Sequence, residues 1–247
     1  MSVQTSMTET AFPKTLVIIP ALNEADSIAR VIGLVREQAP WADIAVVNDG
    51  STDDTGRIAA DTGALVLHMP YNVGIGASVQ TGFMFADAQG YQVVIRNDGD
   101  GQHAPTDIPA MLRALRETGA DIVIGSRYLE DRGYNGTPMR RLGSLILARL
   151  ISAIIRQRVT DPTSGFISCN QRAIKLCAQI YPHDYPEPES IVMLHRAGLH
   201  LCEIPVTMQP RMGGQSSITP IHSAYYMVKV ILAILVGLLR PAPVVES

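Results

Sequence analysis

Two aspartates separated by one glycine stand out in this chain, in the run DGDGQH at residues 98–103, directly after the apolar segment 91–96. Two carboxylates on a glycine-loosened turn offer the hard oxygen ligands that Mg²⁺ and Mn²⁺ prefer. These ions keep coordination positions for phosphate oxygens, so the run indicates a diphosphate and hence a nucleotide-activated substrate. Asp and Gly are also ordinary turn residues, and a plain turn explains the run equally well when it is taken alone.

The segments around this run alternate between strand-like and helical patterns. Apolar runs predict strands, and apolar residues at helical spacing predict helices between them. We expect strands over 16–20, 44–47, 64–68, 91–96 and 121–125, a helix opening at Asn23 and Glu24, and helices over 76–88 and 108–116. This order is typical of an α/β fold with a mostly parallel, two-faced sheet.

Polar side chains collect where the predicted strands end. Ligands of parallel sheets bind beyond the carboxyl ends of the strands, so residues at that edge are candidates for a site. They are Asn23, Glu24, Asp49, Asp53, Asp98 and Asp100. Asp53 also has the type and position of a helix cap. The glycines at 74 and 76 follow the third strand and lack the third glycine of the dinucleotide fingerprint, which disfavours a nicotinamide cofactor.

Charge is divided unevenly along the 247 residues. Residues 1–126 contain 7 basic and 15 acidic side chains, a net charge of −8, whereas residues 127–247 contain 13 and 8, a net of +5. The overall charge of −3 excludes a general nucleic-acid binder. We expect a first half that holds a cation and a second half that holds an anion.

The cysteines and the first residues bear on the compartment. Cys169, Cys177 and Cys202 are odd in number and form no CxxC pair, which indicates reduced, buried thiols in a cytosolic protein. The first dozen residues are polar and have no basic start, so we predict a disordered tail over residues 1–13 and no secretory signal.

Two segments of the second half are strongly apolar. Residues 132–160 contain six arginines and no acidic residue among many Leu and Ile, a composition that favours a helix lying at a membrane surface over residues 139–158. A buried helix with snorkelling arginines is the alternative. The last apolar stretch, 224–239, would be about 24 Å long as a helix, short of the roughly 30 Å bilayer core. We therefore expect an in-plane anchor, or a helix that docks onto a membrane partner, rather than a tilted span.

Three polar segments of the second half have chemistry that suits an anion. Arg127 follows the fifth strand, and its planar guanidinium can hold two phosphate oxygens. The turn DPTSGF at 161–166 and the donor-rich loop RMGGQSS at 211–217 lie further along. A surface arginine, a plain turn and a linker are the respective alternatives.

In this order the segments resemble family-two glycosyltransferases of the GT-A fold, closest to the polyprenol-phosphate, dolichol-phosphate mannose synthase-like branch. The resemblance covers about residues 15–240. It rests on the motifs IPALNE at 19–24, NDGSTD at 48–53, DGDGQH at 98–103, GSR at 125–127, DPTSGF at 161–166 and the loop at 211–217. A bacterial subgroup, often paired with a small membrane protein, also shares YPEPE at 185–189. Asn48 stands where many relatives have Asp, and Ser217 where eukaryote-like relatives often have Lys.

The resemblance implies a Rossmann-like three-layer sandwich with C-terminal membrane-associating helices. It implies a tail at 1–13, a transferase domain at 14–218 with a donor half (14–126) and an acceptor half (127–218), and an apolar helix with its tail at 219–247. It further implies a role for each motif residue. Pro20, Asn23, Glu24, Asp49 and Asp53 would line the nucleotide pocket. Asp98, Asp100 and Gln102 would hold Mg²⁺ or Mn²⁺ and the sugar diphosphate of the donor. Arg127, Arg140, Arg141 and Arg211 would hold the acceptor phosphate, and Asp161 would order the acceptor loop.

The function implied is inverting, metal-dependent transfer of a sugar from a UDP- or GDP-sugar to a polyprenyl (undecaprenyl- or dolichyl-type) phosphate. The protein would attach peripherally to the inner face of the cell membrane, with a small integral membrane protein as a further partner. Two alternatives stay open. One is a glycosyltransferase that extends a saccharide hydroxyl in cell-envelope polysaccharide synthesis, with Asp161 as base, and the other is a non-catalytic sugar-nucleotide-binding subunit.

Overall fold

The computed structural model describes residues 12–130, 138–209 and 220–244, except for the side chains of 138–140 and 220–226. Seven strands form one sheet in the order β3-β2-β1-β4-β6-β5-β7. The strands are β1 (Thr15–Ala21), β2 (Asp43–Asn48), β3 (Leu65–His68), β4 (Val93–Arg96), β5 (Ile122–Ser126), β6 (Ile167–Asn170) and β7 (Leu201–Pro205). Only β6 runs antiparallel to its neighbours, so the prediction of a mostly parallel sheet is confirmed.

Eight helices and one 3₁₀ turn (Pro105–Asp107) surround the sheet in the described part of the chain. The helices are α1 (Ile28–Gln38), α2 (Thr55–Asp61), α3 (Ile75–Ala88), α4 (Ile108–Thr118), α5 (Pro138–Ile155), α6 (Gln171–Gln179), α7 (Pro186–Arg196) and α8 (Pro220–Leu239). The helix expected at Asn23 begins only at Ile28, which corrects that prediction. Asn23 has a left-handed backbone (φ 53°), and this conformation cannot belong to the first turn of a right-handed helix.

Side chains of β1 alternate between two cores, as the period of a strand requires. Leu16 and Ile18 pack with α3, α5, α6, α7 and α8 on one face. Val17 and Ile19 pack with α1 and α4 on the other. The result is the predicted three-layer sandwich, and it leaves the carboxyl ends of the strands as the open edge.

The cysteines are free thiols, as expected, but they are not equally buried. Cys169 and Cys177 lie in the core, and burial raises the pKa of both thiols well above the ordinary range. Cys202, on the edge strand β7, is only partly buried, which corrects the expectation for that residue. The first described residue, Phe12, stacks on Trp41 with the ring centroids 4.6 Å apart.

The two apolar helices of the second half pack on α7 and on each other. Arg196 of α7 donates hydrogen bonds to the carbonyl oxygens of Gly237 (2.6 Å) and Arg240 (2.7 Å), which fixes the end of α8. Both helices also have exposed apolar side chains: Leu142, Leu145 and Ile146 on α5, and Val228, Leu232, Leu235 and Val236 on α8. Within the described ranges no helix has the combined length and apolarity to cross a bilayer.

Candidate active site

The loops after β1 and β2 are joined by hydrogen bonds at the open edge of the sheet. The side-chain oxygen of Asn23 accepts from the backbone N–H of Thr52 (2.8 Å), and the N–H of Asn23 donates to the hydroxyl of Ser51 (3.0 Å). The N–H of Glu24 donates to the hydroxyl of Thr55 (2.8 Å). Asn tolerates the left-handed backbone that this arrangement requires. The IPALNE and NDGSTD motifs therefore form one structural unit.

The two aspartates of the second motif accept hydrogen bonds from backbone N–H groups. Asp49 is buried and accepts from Val73 (2.8 Å) and Gly74 (3.1 Å), so it fixes the loop between β3 and α3. Asp53 accepts from the N–H of Thr55 (3.0 Å), the first residue of α2. The N-cap of α2 is Asp54 rather than Asp53, which corrects that prediction. Burial would raise the pKa of Asp53, but hydrogen bonds from Thr55 and Ala25 lower it below its usual value.

The first aspartate of DGDGQH is held by a buried arginine. Arg96, at the end of β4, is 3% exposed, and its Nε donates to Asp98 Oδ1 at 3.2 Å. On its other side, Nη1 of Arg96 lies 2.8 Å from Oε1 of Glu187 in the YPEPE motif. Burial would lower the pKa of Arg96, but Asp98 and Glu187 raise it further above its ordinary value. The guanidinium is therefore a fixed buried cation.

Two further groups surround Asp98. Nδ1 of His103 lies 3.4 Å from Asp98 Oδ2, and the imidazole stacks on Phe166. Burial lowers the pKa of His103 below its usual value, although the charge of Asp98 opposes this effect. A side chain at Gly165 would place its Cβ 2.7 Å from the Arg96 guanidinium and 3.0 Å from the Asp98 carboxylate, so a larger residue would have to displace the guanidinium. The DPTSGF turn thus packs directly against the two-aspartate run.

The second aspartate, Asp100, is buried, and its Oδ1 accepts from the N–H of Gln102 at 2.9 Å. Gly101 between them has a φ of 73°, the left-handed conformation that glycine adopts without strain. The carbonyl oxygen of Gly99 accepts from the hydroxyl of Ser27 (2.8 Å), which ties the run to the start of α1. These hydrogen bonds fix the conformation of the run, which lies beside the loop after β1.

The donor set fits a magnesium-type ion that is shared with a substrate. No three His, Cys, Asp or Glu side chains in the described ranges are grouped to hold a metal by themselves. Mg²⁺ usually takes one or two carboxylates and completes its shell with waters and phosphate oxygens. Asp98 and Asp100, with the amide of Gln102 beside them, match that requirement.

At the end of β5, Arg127 forms a bidentate ion pair with the fully buried Asp161. Nε of Arg127 donates to Oδ2 of Asp161 at 2.5 Å, and Nη2 donates to Oδ1 at 2.6 Å. Nη2 also donates to the hydroxyl of Thr163 at 2.7 Å. Burial would raise the pKa of Asp98, but the charge of Arg96, followed by smaller effects of His103 and Arg127, lowers it below its usual value. The structure thus brings GSR, DPTSGF and DGDGQH together.

Glu203 of β7 accepts hydrogen bonds from the backbone of this turn, and its role was not predicted from the sequence. Its carboxylate accepts from the N–H groups of Thr160 (2.8 Å) and Asp161 (2.9 Å) and from the hydroxyl of Thr160 (2.9 Å). The sequence signal that could have identified Glu203 is its charge within an otherwise apolar strand. Of the three other predicted phosphate ligands, Arg141 is exposed on α5, and the side chain of Arg140 and the whole of Arg211 lie outside the described residues.

Comparison with known proteins identifies the family to which the chain belongs. The sequence pattern of glycosyl transferase family 2 matches residues 16–176. A polyprenol monophosphomannose synthase of Mycolicibacterium smegmatis is 31% identical over 227 residues, which cover 88% of this chain and 85% of that protein. An undecaprenyl-phosphate mannosyltransferase of Micrococcus luteus is 32% identical over 216 residues, 83% of this chain and 88% of that protein.

Among solved structures, a glucosyl-3-phosphoglycerate synthase from Mycobacterium tuberculosis superposes with a TM-score of 0.67. It was crystallised with Mn²⁺, UDP-glucose and phosphoglyceric acid. The superposition covers 92% of this chain and 80% of that chain at 21% identity. This degree of similarity establishes a common fold.

Proposed function

The chain belongs to glycosyl transferase family 2, and we propose that it transfers one sugar from a nucleotide-sugar to a polyprenyl phosphate. Membership of the family makes the protein a glycosyltransferase. The acceptor class is inferred from two relatives that this chain resembles over more than four fifths of its length. One is named a polyprenol monophosphomannose synthase and the other an undecaprenyl-phosphate mannosyltransferase. The geometry of the site supports each part of the proposal.

The joined loops after β1 and β2 are the proposed nucleotide pocket. Pro20, Asn23, Glu24, Asp49 and Asp53 lie on these loops or at the strand ends that lead into them. The hydrogen bonds between the loops preorganise the pocket, which lowers the entropy cost of binding a UDP- or GDP-sugar.

Asp98, Asp100 and Gln102 are the proposed site for Mg²⁺ or Mn²⁺. A bound divalent cation would neutralise the donor diphosphate and stabilise the charge that develops on the leaving group. Arg96 keeps Asp98 anionic and oriented, since burial alone would raise the pKa of Asp98 and the arginine lowers it again. Asp100 lies in a turn whose conformation is fixed by its hydrogen bond with Gln102.

Arg127 is the proposed anchor of the acceptor phosphate, with Arg140, Arg141 and Arg211 as further ligands. A phosphate monoester is already largely anionic at neutral pH, because its second pKa is about 6. Its oxygen would form a bond to the anomeric carbon while the bond from that carbon to the diphosphate oxygen breaks, which releases the nucleoside diphosphate. One in-line displacement inverts the anomeric centre. A protein base is unnecessary for this step.

The environment of Asp161 supports an ordering role. Both of its carboxylate oxygens accept from Arg127, and the side chain has no exposed surface. A general base needs access to the proton that it removes. The geometry therefore favours a phosphate acceptor over the saccharide hydroxyl that would require such a base.

The exposed apolar side chains of α5 and α8 are the proposed contact with the inner membrane face. Exposed apolar residues that continue across two packed helices mark an interaction surface. The exposed Arg141 and Arg149 on α5 would add attraction to anionic lipids. This surface would bring the enzyme to its lipid-linked acceptor, and a small integral membrane protein could share it.

Radiolabel transfer from a panel of nucleotide-sugars to undecaprenyl phosphate, extracted into organic solvent, tests the proposal. Purified enzyme with Mn²⁺ is compared with the same enzyme in EDTA. We expect EDTA-sensitive lipid label from one donor. Label on an added saccharide instead would support the hydroxyl alternative, and donor binding without transfer to any acceptor would support a non-catalytic subunit.

A further inference from the structure

We propose that Glu203 is a positioning residue that sets the orientation of Arg127 through the turn at residues 160–163. The inference rests on the proposed function, in which Arg127 holds the acceptor phosphate. Glu203 lies on β7, and its carboxylate accepts hydrogen bonds from the backbone of this turn. Its effect on the acceptor would therefore pass through Asp161.

The first link joins the Glu203 carboxylate to the backbone of the turn. It accepts from two successive backbone N–H groups, those of Thr160 at 2.8 Å and Asp161 at 2.9 Å, and from the Thr160 hydroxyl at 2.9 Å. Hydrogen bonds to a charged acceptor are about twice as strong as neutral ones. Three such bonds to one carboxylate therefore fix the position of the backbone at Asp161.

The second link joins the Asp161 side chain to Arg127. Asp161 accepts from the backbone N–H of Arg127 (3.0 Å) as well as from its Nε (2.5 Å) and Nη2 (2.6 Å). Because Asp161 is wholly buried and bound on both oxygens, the direction of the guanidinium follows from where the turn places this carboxylate.

The sheet register makes the arrangement rigid. Glu203 is paired with Ile124 of β5, and Pro205 with Ser126, the residue before Arg127. The hydroxyls of Ser126 and Thr160 lie 2.7 Å apart, so the same turn is also tied to the end of β5. A residue on a paired strand therefore sets the turn and the guanidinium together.

The chemistry of a carboxylate is required at this position. Burial raises the pKa of Glu203, and the neighbouring charge of Asp161 adds to that effect, whereas the N–H groups of Asp161 and Thr160 lower the pKa. A glutamine of the same shape has one acceptor oxygen, and its NH₂ would face a backbone N–H. Glu203→Gln therefore keeps the volume and removes half of the acceptor capacity.

Steady-state kinetics of Glu203→Gln with undecaprenyl phosphate and the active donor test the proposal. We expect the acceptor KM to rise about tenfold, which corresponds to the loss of about one charge-assisted hydrogen bond. The donor KM should stay within about twofold of the wild-type value. The matched control is Asp121→Asn. This buried carboxylate accepts from the N–H of His200 (2.8 Å) but lies at the start of β5, at the opposite edge of the sheet. It should change neither KM.

A double-mutant cycle and a spectroscopic signal separate positioning from general destabilisation. In an Arg127→Lys background, Glu203→Gln should raise the acceptor KM by less than about twofold, because its effect passes through the guanidinium. The NMR signal of the Arg127 Nε–H, assigned from its loss in Arg127→Lys, should shift in Glu203→Gln and stay unchanged in Asp121→Asn.

Each negative result has one meaning. Equal changes in both KM values, full additivity with Arg127→Lys, or an unshifted Nε–H signal would overturn the role of Glu203. Absence of transfer to undecaprenyl phosphate by wild-type enzyme would overturn the proposed function instead. The NMR signal needs no substrate and would still decide whether Glu203 sets Arg127.

Discussion

Nη1 of Arg96 lies 2.8 Å from Oε1 of Glu187, and this ion pair connects the first turn of α7 to the two-aspartate run. On its other side, the same guanidinium binds Asp98. Arg96 is therefore a buried cation between two carboxylates from distant parts of the chain. Such a cation is stable only while its partners are present, because an unpaired buried charge is costly.

Glu187→Gln should lower the free energy of unfolding by roughly 2–4 kcal/mol, because it removes one of the two charges that compensate Arg96. Glu189→Gln is the matched control on the same helical turn. Burial raises the pKa of Glu189, so neutralising it should cost less than about 1 kcal/mol. Urea denaturation followed by circular dichroism measures both changes, and equal losses would contradict a specific role for the ion pair.

Asp100→Asn should reduce metal-dependent transfer at least about a hundredfold, because it removes the charge proposed to hold the cation at the leaving group. The fold should persist, since an amide can still accept from the N–H of Gln102. Asp54→Asn is the control, because Asp54 is an exposed partner of Arg57 on α2. Rates near wild type for Asp100→Asn across a Mn²⁺ titration would exclude Asp100 as a metal ligand.

Arg127→Lys should raise the acceptor KM about tenfold and leave the donor KM nearly unchanged, since an ammonium cannot replace a bidentate guanidinium. Lysine is the informative substitution, because alanine would leave Asp161 as a fully buried, unpaired charge and threaten the fold. Arg172→Lys, which alters the ion pair with Asp121 at the other edge, is the control. A similar rise in both KM values would argue against an acceptor-phosphate role.

Leu232→Glu should weaken binding to vesicles of phosphatidylglycerol at least about tenfold without unfolding the protein. Leu232 is 59% exposed on α8, so a charge there costs little in water and much in a lipid surface. Met84→Glu, at a 55% exposed position on α3, is the matched control and should bind as wild type does. Vesicle sedimentation measures both, and undiminished binding of Leu232→Glu would contradict the proposed membrane contact.

Because of Tyr91, the free energy of unfolding should fall at alkaline pH. Burial and then a 2.9 Å hydrogen bond to Asp43 raise the pKa of Tyr91 to about 12, against about 10 in the unfolded chain. Between these values the folded state binds more protons than the unfolded state, so the free energy of unfolding falls as pH rises. Tyr91→Phe should flatten this decline between pH about 10 and about 12, whereas Tyr71→Phe, at an exposed position, should keep the wild-type slope.

The alternation of strands and helices and the edge at which ligands bind could be predicted because these features follow from local patterns. The apolar run at 16–20 is β1, and the apolar positions Ile28, Val31, Ile32 and Val35 are the buried face of α1. The start of α1 was predicted too early, because the left-handed backbone of Asn23 depends on its hydrogen bonds to the distant residues Ser51 and Thr52.

By itself, the sequence determined the fold class and the polar residues at one edge of the sheet, because hydrophobic periodicity and the succession of strands and helices along the chain are encoded locally. Only the tertiary structure decided which charges meet. Arg96 joins Glu187 to Asp98, and Glu203 holds the turn that orients Arg127. Apart from Arg96 and Asp98, which are two residues apart, these partners lie far apart in the chain. No local spacing records a contact that depends on how the strands pair and the helices pack.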